Sequence, residues 1–165
     1  MNADELFCKH QPALLRYLTR YTGDPEVAAD ATQHAYLNLV ESPPREDDNL
    51  RAWLFTVATN VVHDGWRHDG RAQRLLQSAE SMLEPQGLPD PQASAEYTER
   101  LEFARKLLMR VSDKERTILL MWVEGFAHKE IAEVVGTTTG TIGPTIARAL
   151  KKMSKQIDEF LREDL

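Results

Sequence analysis

Glu130-Ile131-Ala132-Glu133-Val134-Val135-Gly136, followed by Thr141-Ile142 and Arg148-Ala149, is the stretch whose spacing decides the fold of the second half of the chain. It has the grammar of a helix-turn-helix. A small residue at Ala132 lets two helices approach, Gly136 takes the left-handed conformation that a tight turn requires, and Ile142 seats the second helix on the first. In such a unit the second helix enters the major groove, while helix ends and flanking basic residues hold phosphates. A generic helical hairpin in a core would tolerate the same residues, but it would not demand all of them at these positions.

Working outward, Ser112 and Glu115 have the spacing of a capping box and mark a helix start. Ile118, Leu119 and Trp122 form the apolar side of that helix, and Gly125 ends it. A helix from about Ala93 to Arg110 precedes it. Beyond the helix-turn-helix turn, Ile142, Ile146, Ala149, Leu150, Met153, Ile157 and Phe160 keep helical spacing along one long helix. Within residues 139–155 stand Arg148, Lys151, Lys152 and Lys155 and no acidic residue. Gly143-Pro144-Thr145 lies inside the same helix, and an interior proline removes a hydrogen bond and crowds the preceding turn at a cost of about 3 kcal/mol. The expectation is a helix start near Thr141 or a kink there.

Upstream, Glu84-Pro85-Gln86-Gly87-Leu88-Pro89-Asp90-Pro91 cannot continue a helix and reads as a linker. The first half is also helical by period. Leu14, Tyr17, Leu18 and Tyr21 line one face of a helix over residues 3–21. Asp24-Pro25 supplies an N-cap and a first-turn proline for a second helix carrying Val27, Ala31, Ala35 and Leu39, which stops before Ser42-Pro43-Pro44. A third begins near Leu50, with Leu54, Val57, Ala58, Val61 and Val62 as its buried stripe. No segment alternates with period two, so an all-α protein of two small helical domains is expected.

That third helix, Arg51 to Arg67, also holds residues a core does not explain. Asn60 lies off the stripe and offers both a donor and an acceptor to a base edge. Trp53 and Trp66 could flank an unstacked base, with a core-anchor role as the competing reading. Arg67, Arg71 and Arg74 recur at helical spacing and could follow a phosphate backbone.

The 165 residues carry a net charge of −6, which argues against a protein basic all over. The charge is uneven, however: residues 1–50 hold four Lys and Arg against nine Asp and Glu, whereas residues 51–74 hold four against two. A polyanion would be met locally, on basic islands. With Cys8 as the one cysteine, neither an internal disulfide nor a cysteine-built zinc site can form, which fits a reducing cytoplasm. No apolar run is long enough to cross a bilayer, and the acidic N-terminus Met1-Asn2-Ala3-Asp4-Glu5-Leu6 does not read as a secretory signal. The sequence has no phosphate loop, no His-Glu-x-x-His zinc pattern and no Gly-x-Ser-x-Gly elbow. His10, His34, His63, His68 and His128 are scattered, so neither a catalytic residue, a metal nor a cofactor is expected.

The Trp-Leu-Phe-x-x-Ala-x-Asn-x-x-x-Asp-x-x-Arg segment of the first half, with the Glu-Ile-Ala-x-x-x-Gly helix-turn-helix of the second, resembles an extracytoplasmic-function (group 4) sigma factor of bacterial RNA polymerase, in the sigma-70 family. The resemblance spans nearly the whole chain in matching order. It implies sigma region 2 over residues 1–76 as a bundle of three to four helices, a flexible linker over 77–94, and sigma region 4 over 95–165. Region 2 would bind the clamp helices of the polymerase β′ subunit and open the −10 element, and region 4 would read the −35 element and touch the β flap. By resemblance, Glu26, Asp30, Gln33 and Leu37 would contact the polymerase. Asn60, Trp53, Trp66, Arg67, Arg71 and Arg74 would meet −10 DNA. Thr138, Thr139, Thr141, Thr145, Arg148, Lys151 and Lys152 would meet −35 DNA. The family also implies a cytoplasmic transcription initiation factor under an anti-sigma protein, with no membrane insertion and no chemistry of its own.

The chain departs from the family pattern in three places. Val27-Ala28-Ala29-Asp30 stands where an Asp-Ala-Glu-Asp run is common, Ala127 replaces a helix-capping Ser or Thr, and Gly143-Pro144 interrupts the recognition helix. A stand-alone helix-turn-helix regulator with a sensing or dimerising first domain remains the other reading, and a helical protein-binding scaffold is a third.

Overall fold

The computed structural model describes residues 2–45, 49–69 and 95–163. The chain divides into two compact units, residues 1–98 and 99–165, with the division inside a helix that starts at Ala95. The linker expected at 77–94, the helix start expected near Ala93, and Arg71 and Arg74 lie outside the described residues. Every regular element among the described residues is an α-helix.

In the first unit, α1 spans Ala3–Thr22, α2 Pro25–Glu41 and α3 Leu50–Asp69. The caps that set these limits are polar side chains on orphan backbone groups. The Asn2 side-chain oxygen Oδ1 accepts the Glu5 N–H at 3.0 Å, and Gly23, at φ 68°, ends α1. Thr22 Oγ1 donates to the Leu18 carbonyl at 2.8 Å and accepts the Asp24 N–H at 3.1 Å. Asp24 in turn accepts the N–H groups of Glu26 at 2.9 Å and Val27 at 3.4 Å, so one chain of bonds turns the corner into α2. Before α3, the Asn49 side chain accepts the Ala52 N–H at 3.1 Å.

The core of this unit is Leu14, Tyr17, Leu18 and Tyr21 of α1 against Leu54, Phe55, Ala58 and Val62 of α3, with Ala28, Ala31, Ala35 and Leu39 of α2 closing it. Alanines on the buried face of α2 let it pack closely on both neighbours, since side-chain size sets interaxial distance. The buried stripe of α3 is rotated from the expected one. Val57 and Val61 are only half-buried, while Phe55 and Trp66 are in the core. Part of the reason is polar: Thr59 is buried because its Oγ1 donates to the Phe55 carbonyl at 2.7 Å and meets the Tyr17 hydroxyl at 2.9 Å. A buried hydroxyl with partners avoids the desolvation loss that would otherwise turn it outward.

α4 spans Ala95–Arg110 and enters the second unit at Glu99; there α5 spans Asp113–Val123, α6 His128–Val135 and α7 Thr139–Glu163. Both halves of the expected capping box form: Ser112 Oγ accepts the Glu115 N–H and Glu115 Oε2 accepts the Ser112 N–H, each at 3.1 Å. Arg116, 5% exposed, donates from Nε to the Leu108 carbonyl at 2.8 Å and from Nη1 to Asp113 Oδ1 at 3.3 Å. Its guanidinium thus joins the end of α4 to the start of α5. Ala127 has no side-chain oxygen, so α6 keeps only the reciprocal half of a box, Glu130 Oε2 accepting the Ala127 N–H at 2.7 Å. Gly136 sits at φ 72°, ψ 42°, the left-handed turn the sequence required.

Two expectations change here. Trp122 was assigned to the apolar side of α5 but is 42% exposed, because Leu120 and Met121 face inward with Ile118 and Leu119. The recognition helix begins at Thr139, two residues before the start expected near Thr141, and runs through Pro144. Pro144 falls in the second turn, where the carbonyl it leaves without an N–H partner belongs to the exposed Gly140. Gly143 carries no Cβ to collide with the proline ring, so the usual bar against helix before proline is relaxed. Thr141 N–H reaches the Thr138 carbonyl at 3.1 Å and Thr145 Oγ1 donates to the Thr141 carbonyl at 2.7 Å, closing the turn around the proline.

Candidate nucleic-acid and protein-binding faces

Three faces carry the residues singled out from sequence. The first is on α2. Glu26, Asp30, Gln33 and Leu37 recur at intervals of four and three, so they form one stripe, and all four are exposed. Leu37 is 45% exposed and the next position of the same period, Val40, is 53% exposed. Val40 was not anticipated, although its spacing marked it. The stripe runs from carboxylate to apolar along a helix whose opposite side is buried, which suits a protein partner rather than a nucleic acid.

The second is on α3. Trp53, Asn60 and Arg67 are seven residues apart, two turns each, which places them on one line with about 10 Å between successive Cα atoms. Asn60 and Arg67 are exposed and Trp53 is half-buried. Arg67 Nη2 lies 3.2 Å from Asp64 Oδ1, with the two side chains 78% and 74% exposed. An ion pair so open to water is worth at most about 1 kcal/mol and yields readily to a phosphate. Trp66, by contrast, is corrected to a core residue. It is 7% exposed, its ring stacks on Tyr21 at 5.9 Å and lies beside His63 at 5.8 Å. His63 Nε2 is 2.6 Å from the Tyr21 hydroxyl, so the stacking surface offered to a base is occupied by protein.

The third is α7. Ile142, Ile146 and Ala149 face inward, while Arg148 and Lys151, with Lys155 a turn further, face solvent. Thr138 and Thr139 are exposed, and Thr141 and Thr145 half-buried. Thr138 and Thr141 share a hydroxyl–hydroxyl bond of 2.6 Å, and Arg148 Nη2 is 3.4 Å from Thr145 Oγ1. Lys152 is exposed but paired: its Nζ is 3.0 Å from Glu115 Oε1 on α5. Burial raises the Glu115 pKa, yet the hydrogen bonds from Lys152 and Ser112 and the Lys152 charge together bring it below the ordinary value. His128 opens α6 beside α7, its Cε1 3.7 Å from where a Cβ on Gly143 would stand. Among the described residues, no group of three or more His, Cys, Asp or Glu could hold a metal ion, and no helix is long and apolar enough to cross a membrane.

Two helical units, one ending in a helix-turn-helix with a basic outward face and the other exposing a polar line beside a mixed acidic and apolar stripe, define a modular DNA-binding protein with a protein partner. Sigma-70 region 2 matches residues 6–72 and sigma-70 region 4 matches residues 104–153. The chain belongs to the sigma-70 family, as an RNA polymerase sigma factor of the extracytoplasmic-function group. It is 29% identical over 159 residues to the ECF RNA polymerase sigma factor SigL of Mycobacterium tuberculosis, covering 94% of this chain and 88% of that one. It is 23% identical over 164 residues to RNA polymerase sigma factor YlaC of Bacillus subtilis, covering 98% and 95%. Among solved structures, the fold resembles the sigma factor RpoE of Bartonella quintana, crystallised with the anti-sigma factor NepR, at TM-score 0.71 and 22% identity over 94% of this chain and 96% of that one.

Proposed function

We propose that this sigma factor holds core RNA polymerase through the α2 stripe, supports the opened −10 element along the Trp53, Asn60 and Arg67 line, and reads the −35 element with α7. The observation that carries the assignment is the sorting of faces. Each of these helices buries one side, α7 only as far as Ala149, and the residues left outside differ in chemistry: acidic to apolar on α2, amide and guanidinium on α3, basic over residues 148–155 of α7. A flipped base needs polar contacts to offset lost stacking, which Asn60 supplies as both donor and acceptor. Duplex phosphates need cations, which Arg148 and Lys151 supply. Lys152 serves −35 binding through position, since its charge is shared with Glu115.

The nucleotide chemistry belongs to the polymerase, and the chain works in the cytoplasm where that enzyme is. RpoE of Bartonella quintana is bound by an anti-sigma factor, and by extension an inhibitor of that type silences this chain. Run-off transcription with core polymerase on a genomic promoter library tests the reading. The expected result is a set of transcripts that vanish when either the −10 or the −35 element is scrambled. Failure of the purified chain to bind core polymerase at low salt overturns it, and unaided binding of a dimer to a palindromic duplex would favour a stand-alone regulator.

A further inference from the structure

The outward side of α7 in its first two turns is apolar. Gly140, Pro144 and Ala147 recur at intervals of four and three, directly opposite the buried Ile142, Ile146 and Ala149, and all three are exposed. Three nearby hydroxyls are already engaged locally: Thr145 Oγ1 donates to the Thr141 carbonyl at 2.7 Å, and Thr138 and Thr141 bond each other at 2.6 Å. The first charged side chain on the outward face is Arg148, at the far end of the strip.

The amino-terminal turns of a recognition helix are the part that reaches base edges. Proline has neither a side-chain polar atom nor a backbone N–H, and alanine offers only a methyl, so this strip cannot read a pattern of donors and acceptors. The one apolar feature the major groove presents is the thymine 5-methyl group. Among the described residues, a Cβ built on Gly140 would meet nothing within 4 Å, so the first position of the strip is open. We propose that Pro144 and Ala147 are specificity-determining residues that select thymine in the −35 element by packing against its 5-methyl group. Arg148, one turn beyond Pro144, reads the flanking guanine or holds a phosphate. The inference deepens the assignment of α7 as the −35 reader and rests on it.

The test uses holoenzyme reconstituted from core polymerase and the full chain, on a promoter that it transcribes. Each thymine of the −35 element is replaced in turn by deoxyuridine, which removes the methyl and leaves base pairing unchanged. Competition binding should weaken by about fourfold for each buried methyl lost. The same substitutions should have no effect with Pro144→Ser/Ala147→Ser, a variant that keeps helix-compatible residues. Deoxyuridine penalties that are absent, or that persist unchanged in the double variant, overturn the inference while leaving α7 as the reader. Indifference of transcription to a wholly scrambled −35 element overturns the reader assignment and the inference with it. If the double substitution unfolds the unit, Ala147→Ser alone, at an exposed position, carries the variant arm: the penalty at one thymine should vanish, and its persistence at every thymine overturns the inference.

Discussion

Lys152 Nζ on α7 lies 3.0 Å from Glu115 Oε1 on α5, while the other oxygen of the same carboxylate accepts the Ser112 N–H at 3.1 Å. One side chain therefore caps α5 and pins the recognition helix across it. Glu115→Gln should lower unfolding free energy by about 1 kcal/mol at neutral pH, the sum of a weakened cap and a lost partly exposed ion pair. Because the Glu115 pKa is lowered on folding, its contribution is complete above the ordinary carboxylate pKa and is lost as pH falls through the lower folded value. The difference between the wild-type and variant chains in urea melts should shrink below about pH 4. A gap that stays constant with pH would refute the charge-based part of this account.

Arg116 is the most buried cation of the second unit, and it serves the carbonyls at the end of α4. Arg116→Met fills much of the space but leaves the Leu108 carbonyl without its donor. Urea denaturation should show a loss of about 1–3 kcal/mol, the range for a buried polar group left unpaired. Arg116→Lys should recover only part of it, since an ammonium cannot reproduce the planar fork. Full recovery by lysine would show that charge alone, not geometry, holds the α4–α5 corner.

On α2, Asp30 and Leu37 are exposed on a stripe whose opposite face is packed, so truncating them should not disturb the fold. Asp30→Ala and Leu37→Ala should each weaken association with core polymerase by about fivefold or more, as anchors at an interface do. Their urea midpoints should stay within about 0.5 kcal/mol of wild type, as surface substitutions normally do. Unchanged affinity in a competition assay would remove this face from the interface.

The helices were legible because period, caps and breakers agreed: Asp24-Pro25, Ser112 with Glu115, and Gly136 each sit where the backbone demands them. The faces were less so where polar residues pair in the core. Thr59 and His63 look solvent-facing by type, yet their bonds to Tyr17 and Tyr21 cross from α3 to α1. Those pairings join residues 42 apart, which no local spacing encodes. They turn α3 so that Trp66 enters the core while Trp53 stays at the surface edge. Pro144 misled for the opposite reason. The rule against interior proline assumes an ordinary residue before it and a buried carbonyl one turn earlier, whereas Gly143 and the exposed Gly140 satisfy neither condition.

Asn60 provides the sharpest separation of binding from opening. It is exposed on α3, midway between Trp53 and Arg67, and on a different helix from the α2 stripe. Asn60→Ala removes an amide able to satisfy a flipped base at both donor and acceptor, so the unstacking energy of a few kcal/mol is no longer offset. Open-complex formation, followed by permanganate reactivity of unpaired thymines, should fall by about tenfold, which corresponds to about 1.4 kcal/mol of lost stabilisation. Affinity for core polymerase should be unaffected, because the α2 stripe is untouched. Asn60→Asp sharpens the test: it retains the acceptor but brings negative charge against a phosphate-rich strand, so it should open promoters less well than the alanine variant. An aspartate variant that opens promoters as well as wild type would mean that Asn60 stands away from the DNA, and equal losses in core binding and opening would mean that its role is structural.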